Sequence, residues 1–149
     1  MTLETDISCL GQLPLFRSLP APRLKLVALM GERLKFAPGA TLITRGEEPE
    51  GVLLILSGGV EMHGRDPDGD GKSFAFQSGS IIGDVPLLSG QTYLGDIRAT
   101  SPVEALLLPK DLFFQLLQTV PDFSLAIARD LAARLYRLAS HVLDTEKVH

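Results

Sequence analysis

Phe36-Ala37-Pro38-Gly39-Ala40-Thr41-Leu42-Ile43-Thr44-Arg45-Gly46-Glu47 opens the part of the chain on which the fold turns. A proline-glycine turn signal leads into a short apolar run, and Gly46 closes that run. The pattern repeats at once: Val52-Leu53-Leu54-Ile55-Leu56 is followed by Ser57-Gly58-Gly59 and then by Val60-Glu61-Met62. Short apolar segments of this length between glycines predict strands and hairpins. Three more candidate strands follow, Ser73-Phe74-Ala75-Phe76, Ile97-Arg98-Ala99-Thr100 and Glu104-Ala105-Leu106-Leu107-Leu108. Many short strands with regular turns predict a mainly β sandwich or jelly-roll barrel, at about residues 35–110.

Helical patterns flank this core. Leu13-Pro14-Leu15-Phe16 and Pro22-Arg23-Leu24-Lys25-Leu26-Val27-Ala28-Leu29-Met30 carry apolar residues at helical spacing behind prolines suited to helix starts. The C-terminal helices are expected at about 111–143. Asp111 is placed to cap the first, whose apolar face includes Leu112, Leu116, Leu117 and Val120 and which ends before Pro121. The second runs from about Phe123 to Val142. Its Leu131, Leu135, Leu138 and Val142 step by four, three and four, with Leu125, Ala128 and Ala132 extending the stripe. That is the spacing of a coiled-coil seam, and it predicts self-association, the alternative being a stripe packed on its own barrel.

Length and composition bound the rest. A chain of 149 residues fits one domain, expected at 13–145 behind a tail at 1–12, and 45% hydrophobic with 21% charged residues describes an ordinary globular protein. A net charge of -4 gives no overall attraction to nucleic acid or anionic membrane. No basic stretch leads into an apolar run at the N-terminus, and no apolar segment could span a bilayer. A cytoplasmic location is expected. The single cysteine, Cys9, cannot form an internal disulfide or hold an iron-sulfur cluster alone.

The order of these elements, and the local wording of Phe36 to Glu47 and of Leu53 to Glu61, resemble the cyclic-nucleotide-binding domain. The comparison is closest with the sensory half of catabolite-activator-type (Crp/Fnr) regulators and spans about residues 13–145. Gly79-Ser80-Ile81-Ile82-Gly83-Asp84-Val85-Pro86-Leu87-Leu88 resembles the family's phosphate-binding cassette, and Pro121 to Leu135 the start of its dimerisation helix. The resemblance implies a non-catalytic regulatory module in which ligand contact at the cassette biases the terminal helix. It places Gly83, Asp84, Val85, Pro86 and Leu87 at the anion end of a ligand site, with Tyr93 and Leu94 opposite.

Two departures from that pattern bear on ligand choice. Cyclic-AMP binders usually carry an arginine and then a small residue near the end of the cassette, and Tyr93 and Leu94 stand there. A tyrosine hydroxyl cannot replace a charge-assisted, often bidentate guanidinium contact. Catabolite-activator-like members also set adjacent hydroxyl residues on the long helix against the base, where this chain has Leu138 and Ala139, which offer no side-chain hydrogen bonds. Arg98 falls on the strand after the cassette and reads as a structural or surface arginine. Ordinary cyclic-AMP binding is therefore disfavoured, and the expectation is another small ligand bound weakly or not at all.

Other function classes fit less well. A cupin-like metalloenzyme needs several histidines and a carboxylate converging inside the barrel, and only His63, His141 and His149 exist. His63 or His141 could ligate haem, although each reads more simply as a solvated side chain. Asp66-Pro67-Asp68-Gly69-Asp70-Gly71 imitates half of a calcium loop, but the twelfth position is Gln77 and the flanks are strands. No metal or cofactor is expected. The relatives carry a helix-turn-helix after the long helix; this chain stops at His149, so it is expected not to bind DNA by itself, and it could be the sensory fragment of a longer regulator. The expected partners are a second copy, a small molecule and a downstream protein.

Overall fold

The computed structural model describes residues 7–8, 10–64 and 73–147. Two four-stranded antiparallel sheets face each other. The first has the order β1 (Glu32–Phe36), β8 (Val103–Pro109), β3 (Gly51–Ser57), β6 (Ile81–Ile82); the second has β2 (Thr41–Ile43), β7 (Asp96–Ala99), β4 (Val60–His63), β5 (Ser73–Phe76). Helices flank them: a 3-10 turn at Pro14–Phe16 and α1 at Ala21–Met30 before the barrel, a short α2 at Asp84–Ser89 within it, and α3 at Lys110–Thr119 and α4 at Pro121–Lys147 after it. This is the jelly-roll architecture expected, with helices at both ends of the chain.

The unbroken apolar run of β3 has a physical cause: both of its faces are buried, as in any strand covered on two sides. Leu53 and Ile55 point into the barrel beside Val60, Ile82, Ile97, Val103 and Ala105, and Val52 and Leu54 point outward to the helices. β8 alternates in the same way, with Ala105 inward and Leu106 and Leu108 outward. The outward residues join a second core with Phe16, Phe113 and Phe123, all fully buried. Phe123 stacks between the other two, 6.1 Å from Phe16 and 6.2 Å edge-on from Phe113. The start of α4 is thereby nailed to the barrel. Gly58 makes the β3–β4 hairpin possible, since its φ is +86° and a Cβ there would collide with the Pro102 carbonyl oxygen.

Three local expectations need correction. β1 is a strand where the sequence pattern signals only a turn at its end, because Glu32, Arg33 and Lys35 disguise an edge strand whose Leu34 and Phe36 pack on the inner core. Asp111 does not cap α3: Pro109 stands at the cap position with no side-chain bond, and Asp111 sits in the first turn, where its charge suits the helix dipole. The long helix starts at Pro121 rather than Phe123, since proline fits a first helical position, and it continues to Lys147. Cys9, His149 and the calcium-like segment 66–71 lie outside the described residues.

Candidate functional site

The cassette is assembled by β6, a left-handed glycine and a six-residue helix. Gly83 has a φ of +102°, which turns the chain from β6 into α2, and a second left-handed glycine, Gly90, ends α2. A Cβ on Gly83 would lie 2.5 Å from the Tyr93 hydroxyl oxygen and 2.9 Å from the Gly51 carbonyl oxygen. The phenol therefore abuts the bare backbone at the place where the resemblance puts a ligand's anionic group. Tyr93 is held there by main-chain pairing with the turn after β2: its N–H donates to the Glu47 carbonyl at 3.0 Å, and its own carbonyl accepts from Gly46 N–H at 3.0 Å. It belongs to the inner core with Leu53, Ile55, Ile82 and Ile97 and is only 6% exposed. Leu94 next to it is 74% exposed. Of the two residues expected opposite the anion end, one fills the interior and the other faces solvent.

Burial pushes the Tyr93 phenol up to about 12, and the carboxylates of Glu47 and Asp84 push it in the same direction. The phenol is therefore neutral at any ordinary pH.

Asp84 is fully buried, alone among the described charged residues in that respect. It begins α2, and its Oδ1 accepts the Val85 N–H at 3.0 Å. Arg134 of α4 donates to both of its oxygens, Nη2 to Oδ2 at 2.5 Å and Nη1 to Oδ1 at 3.4 Å. Nη2 also lies 3.0 Å from Asp130, one helical turn back. Burial raises the Asp84 carboxyl above its usual range, while the Arg134 hydrogen bond and charge oppose that shift. With a forked guanidinium on both oxygens the carboxylate is the form this geometry serves. Removing one partner of such a buried pair costs about 3–5 kcal/mol, because it strands the other charge.

The remaining predicted residues divide between interior and surface. Leu87 packs on the helical core and Pro86 is half-buried, but Val85 is exposed. Leu138 and Ala139 are exposed on α4, one turn beyond Arg134, which is the α4 residue that reaches the cassette. Sequence reasoning missed Arg134; its sole local signal was Asp130 four residues earlier, a spacing that more often marks a surface pair. Arg98 is exposed and 3.7 Å from Asp96, as a surface arginine would be. Of the expected seam, Leu131 packs on the helical core, while Leu135, Leu138 and Val142 are exposed together with Tyr136 and Leu143. His63 lies 3.3 Å from Glu61 on β4, His141 is exposed on α4, and among the described residues no group of three or more histidine, cysteine or acidic side chains could hold a metal ion. A cavity of about 390 Å³ lies away from the cassette, lined by Leu10, Ala28, Gly31, Arg33, Lys35, Glu104 and Leu106.

The profile of the cyclic nucleotide-binding domain matches residues 33–120, more than half of the chain. The chain belongs to the cyclic nucleotide-binding domain family. A relative of this cyclic nucleotide-binding domain, the cAMP-activated global transcriptional regulator CRP of Pasteurella multocida, is 31% identical over 110 residues, covering 72% of this chain and 53% of the regulator. The regulatory subunit of a cAMP-independent protein kinase A from Trypanosoma cruzi, bound to guanosine, superposes with a TM-score of 0.74 at 29% identity over 94% of this chain and 50% of that one. A Trypanosoma brucei counterpart, bound to cAMP in the A site, gives 0.75 at 28% over 92% and 51%. That protein is a triple mutant, and its changes include threonine to arginine followed immediately by valine to alanine. The domain thus spans about half the length of these relatives, and 8% of a matching lysophospholipase nte1 from Neurospora crassa. Among the described residues no helix is long and apolar enough to cross a membrane.

Proposed function

We propose that this domain is a non-catalytic regulatory sensor whose phosphate site is closed, so that it does not respond to cyclic AMP in the usual mode, and whose output runs through α4 paired with a second copy. One observation carries the reading. Where a cyclic phosphate needs a buried cation, the position matched by the resemblance holds a buried neutral phenol against the bare backbone of Gly83. An entering phosphate would lose its strongest contact. Loss of a buried charged hydrogen bond costs about 2–5 kcal/mol, or roughly 30- to 4,000-fold in affinity. An uncharged ligand does not suffer that loss, and the likeness to a subunit bound to guanosine supports a nucleoside-like class of ligand.

The substitution of arginine and then alanine in the cAMP-bound Trypanosoma brucei protein supports an arginine followed by a small residue as what cyclic AMP binding needs. Tyr93→Arg combined with Leu94→Ala should therefore raise the affinity for cyclic AMP about 30-fold or more, measured by calorimetric titration. No gain in a folded double variant removes the reading.

A second reading is favoured by coverage: the match takes in about half of a transcription regulator. On that reading the domain is the sensory part of a longer Crp/Fnr-type protein whose DNA-binding part follows α4. The length of the natural open reading frame separates the two.

A further inference from the structure

β1 and β6 are opposite edges of the first sheet, and the cassette grows from β6. The cavity of about 390 Å³ lies at the other edge, against β1 and β8. Strand register explains its make-up. Leu34 and Phe36 pack on the inner core, so Arg33 and Lys35 between and beside them belong to the outer face, paired across the strands with Leu106 and Glu104 respectively. α1 covers only part of that face. It ends at Met30, and Gly31 then passes so close to the sheet that an added Cβ would lie 2.8 Å from Leu106 Cγ. What is left is a hollow with an apolar end and a charged end. Leu10 and Leu106 are buried and Ala28 half-buried; Arg33 and Glu104 are half-buried and Lys35 is exposed. The charges are unevenly matched. Arg33 and Glu104 pair at 3.7 Å, whereas no ion pair among the described residues takes in Lys35. An apolar pocket with one cation left over is complementary to an apolar body carrying a single negative charge. A dianion suits it less, because Glu104 would face the second charge.

We propose that this hollow is a second ligand site, separate from the cassette, and that it takes a small amphiphilic monocarboxylate: the carboxylate against the Lys35 ammonium, the hydrocarbon chain over Leu10, Ala28 and Leu106. Size narrows the class. At about 30 Å³ for each water-sized group, the hollow has room for about a dozen, which a medium-chain acid of roughly eight carbons fills. Burial of the chain supplies most of the affinity, and the half-exposed charges set the sign of the guest. The site stands whatever the cassette binds, since the two share no residue.

An NMR titration of the full chain with octanoate reads place and affinity together. Amide signals of Ala28, Gly31, Arg33, Lys35 and Leu106 should shift and saturate with a Kd of about 1 mM or lower; no saturable shift at those residues overturns the proposal, and Gly83 and Tyr93 report the cassette separately. Octylammonium, the same chain with the opposite charge, should bind at least about fivefold more weakly, and equal binding overturns the choice of a carboxylate. Lys35→Gln should weaken octanoate about three- to fivefold, and Glu104→Gln, which removes the carboxylate facing the guest, should tighten it by about as much. Effects of the same sign, or none, overturn the assignment of Lys35. Ala28→Leu fills the apolar end without altering any charge and should abolish the saturable shift, whereas unchanged affinity overturns the site. Should Ala28→Leu fail to fold, Ala28→Ser decides in its place: it keeps the size and makes the wall polar, so weaker octanoate binding supports the site and equal binding overturns it.

Discussion

Raising the pH tests the burial of Tyr93 directly. Its folded-state pKa is pushed up to about 12 from the ordinary 10.0, chiefly by burial and further by the Glu47 and Asp84 carboxylates. Because the folded value lies above the unfolded one, the phenol's contribution to stability is fully present below about pH 10 and is lost as pH rises from there to about 12. A gap of that size between the folded and unfolded values corresponds to about 3 kcal/mol of differential interaction between the protonation states. The chain has two tyrosines and no tryptophan, so phenolate absorbance near 295 nm can be followed in a rapid jump from neutral pH to about pH 11, and Tyr93→Phe isolates the contribution of Tyr93 by difference. The difference signal should be largely missing in the first milliseconds and should grow at the rate of unfolding. Immediate appearance of the full signal, with the fold still intact by circular dichroism, would refute the burial of the phenol.

Two further outcomes follow from the geometry. Gly83→Ala places a Cβ 2.5 Å from the Tyr93 hydroxyl oxygen in a backbone conformation with positive φ, so it should destabilise by about 2–4 kcal/mol in urea titration; a change under about 1 kcal/mol would mean that the cassette and the phenol are not in contact. Leu135→Glu puts a charge in the centre of the exposed stripe, which is 68% exposed at that residue, and should shift a dimer to monomer in light scattering with little loss of monomer stability. An unchanged dimer removes the seam.

The barrel was legible where burial is symmetrical. β3 reads as a strand because Val52 and Leu54 face one core and Leu53 and Ile55 the other, so no polar residue interrupts it between Gly51 and Ser57. β1 was not legible, because an edge strand beside the flanking helix can carry Glu32, Arg33 and Lys35, and β6 is two residues long. In the cassette, Gly83 and Tyr93 could be marked only through the family resemblance, and the left-handed φ of Gly83 was not foreseen. What could not be marked was direction. Tyr93 turns inward and Leu94 outward because the main chain of Tyr93 pairs with Gly46 and Glu47, too distant in sequence for any local pattern to include them. The union of Asp84 with Arg134 likewise comes from the docking of α4 through Phe123, and nothing in the local spacing of either residue announces it.

Calorimetric titration of the unmodified chain with cyclic AMP and cyclic GMP tests the proposed closure of the phosphate site most directly. If Tyr93 stands where the family's arginine would, as proposed, neither nucleotide should bind in the low-micromolar range. Low-micromolar binding of either one would contradict the account, even with every strand and helix in its described place.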